Sequence, residues 1–113
     1  MSTFDLTRAV EVLRSKYNAP YVRPYNSQNG FDAEVGLDLE NKMLHIDFSV
    51  ELNERRVTVT SVYTTEFPTG PIQPLQELPP QQNETSTYAH DPRVVDYIGR
   101  IKRDIGVSDF ATL

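Results

Sequence analysis

Two stretches of strict alternation constrain this chain more than anything else in it. At 31–40 the odd positions carry Phe31, Ala33, Val35, Leu37 and Leu39, and the even positions Asp32, Glu34, Gly36, Asp38 and Glu40. At 44–52 the parity reverses: Leu44, Ile46, Phe48, Val50 and Leu52 are apolar, while His45, Asp47, Ser49 and Glu51 are polar. Successive side chains of a strand point to opposite faces, so each stretch predicts a half-buried strand. A two-residue turn at Asn41-Lys42 sets Leu39 opposite Leu44, Leu37 opposite Ile46 and Val35 opposite Phe48. All the apolar residues then share one face, and a one-residue slip would turn a whole strand inside out.

The neighbouring stretches extend this hairpin on both sides. Tyr21-Val22-Arg23-Pro24-Tyr25 predicts a short first strand, at an edge because Pro24 has no N–H to give to a ladder. Asn29-Gly30 is the strongest hairpin signal, and a two-residue turn there puts Val22 opposite Leu37 and Tyr21, Arg23 and Tyr25 on the outer face. Asn53-Glu54 turns the chain into a fourth strand at 56–67, with Glu51 facing Arg56. Unbroken alternation there sends Val57, Val59, Ser61 and Tyr63 inward and Thr58, Thr60, Val62 and Thr64 outward.

Helices flank the strands. Leu6, Ala9, Val10, Leu13 and Tyr17 form one stripe, with Ser2 or Thr3 as the cap, Asp5 in the first turn and Asn18-Ala19-Pro20 as the stop. Asp91-Pro92 starts a last helix with the stripe Val94, Tyr97, Ile98, Ile101 and Ile105, closed by Gly106. Phe110 and Leu113 of the tail are expected to dock on the body. Between the strands and that helix lies 67–90, which holds Pro68, Pro71, Pro74, Pro79 and Pro80 and is expected to have no regular element. It reads as an ordered strap tacked down by Ile72, Leu75 and Leu78, with a mobile part at 79–86. The order predicts a single two-layer α+β domain over 1–113: a helix, a four-stranded antiparallel meander, a proline-rich loop and a helix, both helices on the apolar sheet face.

Charge and composition narrow the function classes. A charged fraction of 24% beside 38% hydrophobic residues suits a globular rather than a disordered chain. With no cysteine there is no disulfide scaffold and no thiolate metal site. The first 17 residues do not read as a signal peptide, no stretch is apolar enough to span a bilayer, and a cytoplasmic location is expected. Asn83-Glu84-Thr85 matches a glycosylation acceptor, read as chance in that setting. The net charge of −5 is concentrated in the predicted sheet, which argues against nucleic acid and anionic lipid as partners.

No phosphate-binding loop, dinucleotide fingerprint, zinc-protease motif or nucleophile elbow is present. His45 is the best lead for chemistry: the expected register sets it opposite Asp38, beside Val62 and two residues before Asp47, with Ser49 or Thr60 as conceivable nucleophiles. A solvated cross-strand pair is the plainer reading. Asp32, Glu34, Asp38, Asp47 and Glu51 make an acidic face, but specific cation sites wrap the ion in a loop, so no metal or other cofactor is expected. The last helix has a basic face of Arg93, Arg100, Lys102 and Arg103, without a lysine cluster at its start such as RNA binding would use.

The expectation is a non-catalytic protein-interaction module, an adaptor, chaperone-like protein or inhibitor. It would act through the outer face (Tyr21, Arg23, Tyr25, Glu34, Asp38, His45, Asp47, Thr58, Thr60 and Val62) and the proline-rich loop. The alternatives are a small-molecule-binding protein or enzyme with a pocket between loop and sheet, and a structural subunit of an assembly. The fourth strand, β-branched and free of proline to position 68, reads as an open edge for a homodimer or a protein partner.

Overall fold

In the computed structural model, residues 5–39, 42–66 and 82–112 are described, save the side chains of Glu66 and Gln82. The elements are α1 (Leu6–Lys16), β1 (Val22–Pro24), β2 (Gly30–Asp38), β3 (Lys42–Glu51), β4 (Arg56–Glu66), β5 (Gln82–Asn83), α2 (Thr85–Tyr88), α3 (Pro92–Ile105) and β6 (Ala111–Thr112). β1 to β4 form the expected antiparallel meander, β5 extends it, and β6 pairs with β4 in parallel. The domain is α+β in two layers. Ala9 and Leu13 of α1 and Val94, Ile98 and Ile101 of α3 join Phe31, Ala33, Val35, Leu44, Ile46, Phe48 and Val50 in one buried cluster.

The helix ends follow local chemistry. Asp5 itself caps α1, its carboxylate accepting from the N–H groups of Thr7 and Arg8, so the cap is two or three residues later than expected. Asn18 closes α1 at φ 51°, and Gly106 closes α3 at φ 90° with the Val107 N–H donating to the Lys102 carbonyl. Asp91 caps α3 as expected and also pairs with Arg93.

Both inner hairpins differ from the expected register. β2 and β3 pair as Leu37↔Leu44, Val35↔Ile46 and Ala33↔Phe48, two residues off, and the Leu39 N–H meets the Lys42 carbonyl, so Lys42 is in the strand rather than in the turn. A two-residue shift keeps every side chain on its face, which is why apolar patterning alone did not distinguish the two registers. The first hairpin is longer than expected: the Tyr25 N–H bonds the Gly30 carbonyl, Gln28 takes φ 58°, and Val22 faces Ala33 rather than Leu37. Gly30 is required there because a Cβ would stand 1.9 Å from the Val50 carbonyl oxygen.

β4 carries the correction with most consequence. Phe48 pairs with Val59 but Asp47 pairs with Ser61, leaving Thr60 as the extra residue of a β-bulge. Before it, Val57 and Val59 face inward as expected. After it the parity flips, so Val62 and Thr64 are buried while Ser61, Tyr63 and Thr65 turn to the outer face. Val62 is therefore core, not contact surface.

The expected open edge is largely occupied. β5 covers Tyr63 and Thr64, Thr85 Oγ1 accepts the Val62 N–H, and β6 covers Arg56 and Val57. Part of the stretch expected to lack regular structure thus forms β5 and α2; of the residues expected to be mobile at 79–86, those at 82–85 are bonded to β4, and 79–81 lie outside the described residues. Asn83 is a polar anchor: its side-chain oxygen accepts from both the N–H and the hydroxyl of Thr85. The expectations for Ile72, Leu75, Leu78 and the remaining prolines lie outside the described residues, as does that for Leu113. Lys102 also departs from the expected basic face. It is buried, donates to the Phe110 carbonyl and to Thr112 Oγ1, and so ties the tail to α3; burial lowers its pKa.

Candidate functional site

The outer face is where alternation and the bulge place chemistry. Its centre is Glu34 on β2, directly across from Asp47 on β3. Burial, then the hydrogen bond and negative charge of Asp47, push the Glu34 carboxyl up to about 7. Two like charges this close cannot both ionise cheaply, so a proton is held between them near neutrality.

Hydroxyl groups order the carboxylates from both sides. Tyr21 donates to Asp47 at 3.1 Å, Ser61 donates to the other Asp47 oxygen at 2.9 Å, and the Thr60 hydroxyl donates to the Asp47 carbonyl at 3.1 Å. Tyr25 and Ser49 both donate to Asp32 Oδ1, at 2.6 and 2.7 Å. Burial first, then Asp47, pushes the Tyr21 hydroxyl up to about 12; burial first, then Asp32, raises that of Tyr25. Both phenols therefore remain donors. The Arg23 guanidinium stacks over the Tyr21 ring at 4.8 Å. Between these groups is a shallow depression of about 180 Å³ lined by Tyr21, Arg23, Asp32, Asp47, Phe48, Ser49 and Thr60.

His45 keeps its place on this face but changes partners. It sits opposite Gly36 and Tyr63, not Asp38 and Val62. Its Nδ1 lies 3.8 Å from Glu34 and its Nε2 contacts the Thr65 hydroxyl. Asp38 pairs with Met43 at the far end of the hairpin, away from the rest, and Thr58 sits opposite Ser49. Of the expected surface residues, Tyr21, Arg23, Tyr25, Glu34, His45, Asp47 and Thr60 are brought together. Ser61 and Thr65 were missed as members because the bulge reverses their face. Asp32 and Ser49 already stood on that face by alternation, with only the proximity of Tyr25 to suggest how they are used.

Among the described residues no His, Cys, Asp or Glu cluster is placed to hold a metal ion, and no helix is long and apolar enough to cross a membrane. Compared with known proteins, the chain matches no family model, no curated protein and no solved structure.

Proposed function

We propose that this chain is a non-catalytic protein-interaction module whose contact surface is the outer sheet face and whose partner is a basic, hydrogen-bond-donating protein segment. One observation carries the reading: the Asp32 and Asp47 carboxylates of this face are held in place by tyrosine and serine hydroxyls before any partner arrives. An ordinary solvated face leaves such side chains free, because ordering them costs rotamer entropy. A surface with that entropy already lost binds with less penalty. Tyrosine and arginine around a polar centre are also the residue types that protein interfaces favour. The charge selects the partner: even with one proton held between Glu34 and Asp47, the carboxylates of Asp32, Asp47 and Glu51 outweigh Arg23, so the partner brings donors and positive charge. A second copy docked face to face would set the same carboxylates against their own images, and the part of β4 that no described strand covers, 58–61, is short for strand addition.

Hydrogen exchange on the complex captured from the native source tests this. Amides at 32–34, 45–49 and 58–61 should gain protection, and Asp32→Asn with Asp47→Asn should abolish capture while leaving circular dichroism unchanged. Protection confined to α3, or capture indifferent to the double variant, would sink the reading.

A second reading rests on the order Thr65 hydroxyl, His45 imidazole, Glu34 carboxyl, the sequence of groups that activates a hydroxyl nucleophile. It is the weaker one, because a carboxyl that keeps its proton near neutrality gives the imidazole little charge support. Turnover of an activated ester that disappears in both His45→Ala and Thr65→Val would favour it.

A further inference from the structure

The helical layer carries a surface of opposite character. Where the last turn of α1 meets α3, Lys16, Tyr17, Tyr97, Arg100, Arg103 and Asp104 line a cleft of about 420 Å³. Its walls are fixed. The Tyr17 hydroxyl donates to Asp104, and the Tyr97 hydroxyl donates to the Gly36 carbonyl at 2.8 Å. The two rings meet edge to face with centroids 5.7 Å apart.

The charges of the cleft do not cancel. Asp104 is engaged by Lys16 at 2.8 Å and by Tyr17, and these donors hold its carboxyl below the usual range. Arg100 and Arg103 lie three positions apart on α3, so their guanidinium groups leave the helix on one side. Arg100 is 3.3 Å from Asp96, but both side chains are about 70% exposed, and such a pair is weak and readily exchanged. Three cations and one anion thus converge from two helices, in a chain whose net charge is −5.

We propose that this cleft binds a phosphate monoester that carries an aromatic ring. The excess of positive charge decides for phosphate over carboxylate: a phosphate monoester brings roughly −1.5 to −2 at neutral pH, a carboxylate about half of that. Arginine forks match phosphate oxygens two at a time, which a lysine-only patch cannot do. The fixed rings of Tyr17 and Tyr97 offer an aromatic surface beside the charges, and the volume falls in the range of small-molecule sites. A phosphotyrosine and an aromatic nucleoside monophosphate share this chemistry.

The test is an NMR titration of the whole chain at low salt with phenyl phosphate, inorganic phosphate and benzoate. Phenyl phosphate should move the amides of residues 16–17 and 97–104 and bind at least tenfold tighter than either of the others. Arg103→Gln, at an exposed position that leaves the fold intact, should weaken it about tenfold, while Arg8→Gln on the exposed side of α1 should not. Phosphotyrosine amide and adenosine monophosphate, titrated in parallel, name the source by which one exceeds inorganic phosphate. Equal binding of all probes, or equal losses in the two variants, would reduce the cleft to a diffuse basic surface and overturn the proposal.

Discussion

The two hairpins that share β3 follow different rules. β2–β3 is an unbroken ladder from Gly30↔Glu51 to Asp38↔Met43, so the parity at one end predicts every face up to the other. β3–β4 keeps one register from Glu51↔Arg56 to Phe48↔Val59 and another from Asp47↔Ser61 to Lys42↔Glu66; Thr60 is left over between them, and the residues after it exchange faces. The sequences differ in how strongly they resist such a flip. β2 alternates apolar residues with carboxylates, and no flip survives that contrast. β4 alternates valine with threonine, serine and tyrosine, side chains that fit either face at modest cost. A strand with weak contrast leaves its parity to its neighbours, and here β3 imposes it: Leu44 and Ile46 bring Thr64 and Val62 inward.

The bulge also serves the outer face. It puts the Thr60 and Ser61 hydroxyls on Asp47 and the Thr65 hydroxyl on His45, so the irregular hairpin completes a network begun on the regular one.

The most disruptive single change falls on β2. Deleting Glu34 puts one half of that strand out of phase, turning either Phe31 and Ala33 or Val35 and Leu37 to water. Calorimetry should find no cooperative transition in this variant. Next in size is Val62→Asp. Its position is buried only because of the bulge, so the buried charge should cost more than about 4 kcal/mol by chemical denaturation. A surface Val62 would tolerate the change, and a near-normal midpoint would refute the flipped parity.

Glu34→Gln probes the carboxyl pair across β2 and β3, whose Asp47 also accepts from Ser61 of β4. Folding raises the Glu34 pKa from 4.5 to about 7, so the folded state binds this proton more tightly than the unfolded one. The resulting stability is fully present below pH 4.5 and is lost as the pH rises through 7. Discounted for residual solvent exposure, the variant should be more stable than the parent by on the order of 1 kcal/mol at pH 8. The two should converge toward pH 4, as followed by thermal melts across that range.

The smallest effect is expected from deleting Thr60. With that residue gone, Val59, Ser61 and Val62 fall into one regular ladder with their faces unchanged. The chain should stay folded, within about 1 kcal/mol of the parent, and lose the local bend and the Thr60 hydroxyl bond to the Asp47 carbonyl. The outcome to contrast is Glu34: one deletion removes an irregularity, the other creates one.

Much of this architecture was legible. Alternation at 31–40 and 44–52 named the inner and outer faces, the stripes named the buried sides of α1 and α3, and Asp91, Asn18 and Gly106 named helix ends. The outer site was legible in part. Tyr21, Tyr25, Glu34, His45 and Asp47 follow from parity alone, but their partners do not, since the expected register gave His45 to Asp38. Register was open to a two-residue shift because both choices bury the same side chains.

Strong local contrasts, apolar against charged and glycine or asparagine at left-handed positions, acted within a few residues, and the amino-acid order by itself determined what they govern: element type, face and helix ends. The tertiary structure alone decided which residues meet across elements. It chose the bulge at Thr60, the burial of Val62, the partners of His45, the docking of Gln82–Asn83 on β4 and the meeting of Lys16 with Arg103. Those outcomes depend on competition between packings that are nearly equal locally, and only the assembled core, with Ile46, Phe48 and the two helices in place, separates them in energy.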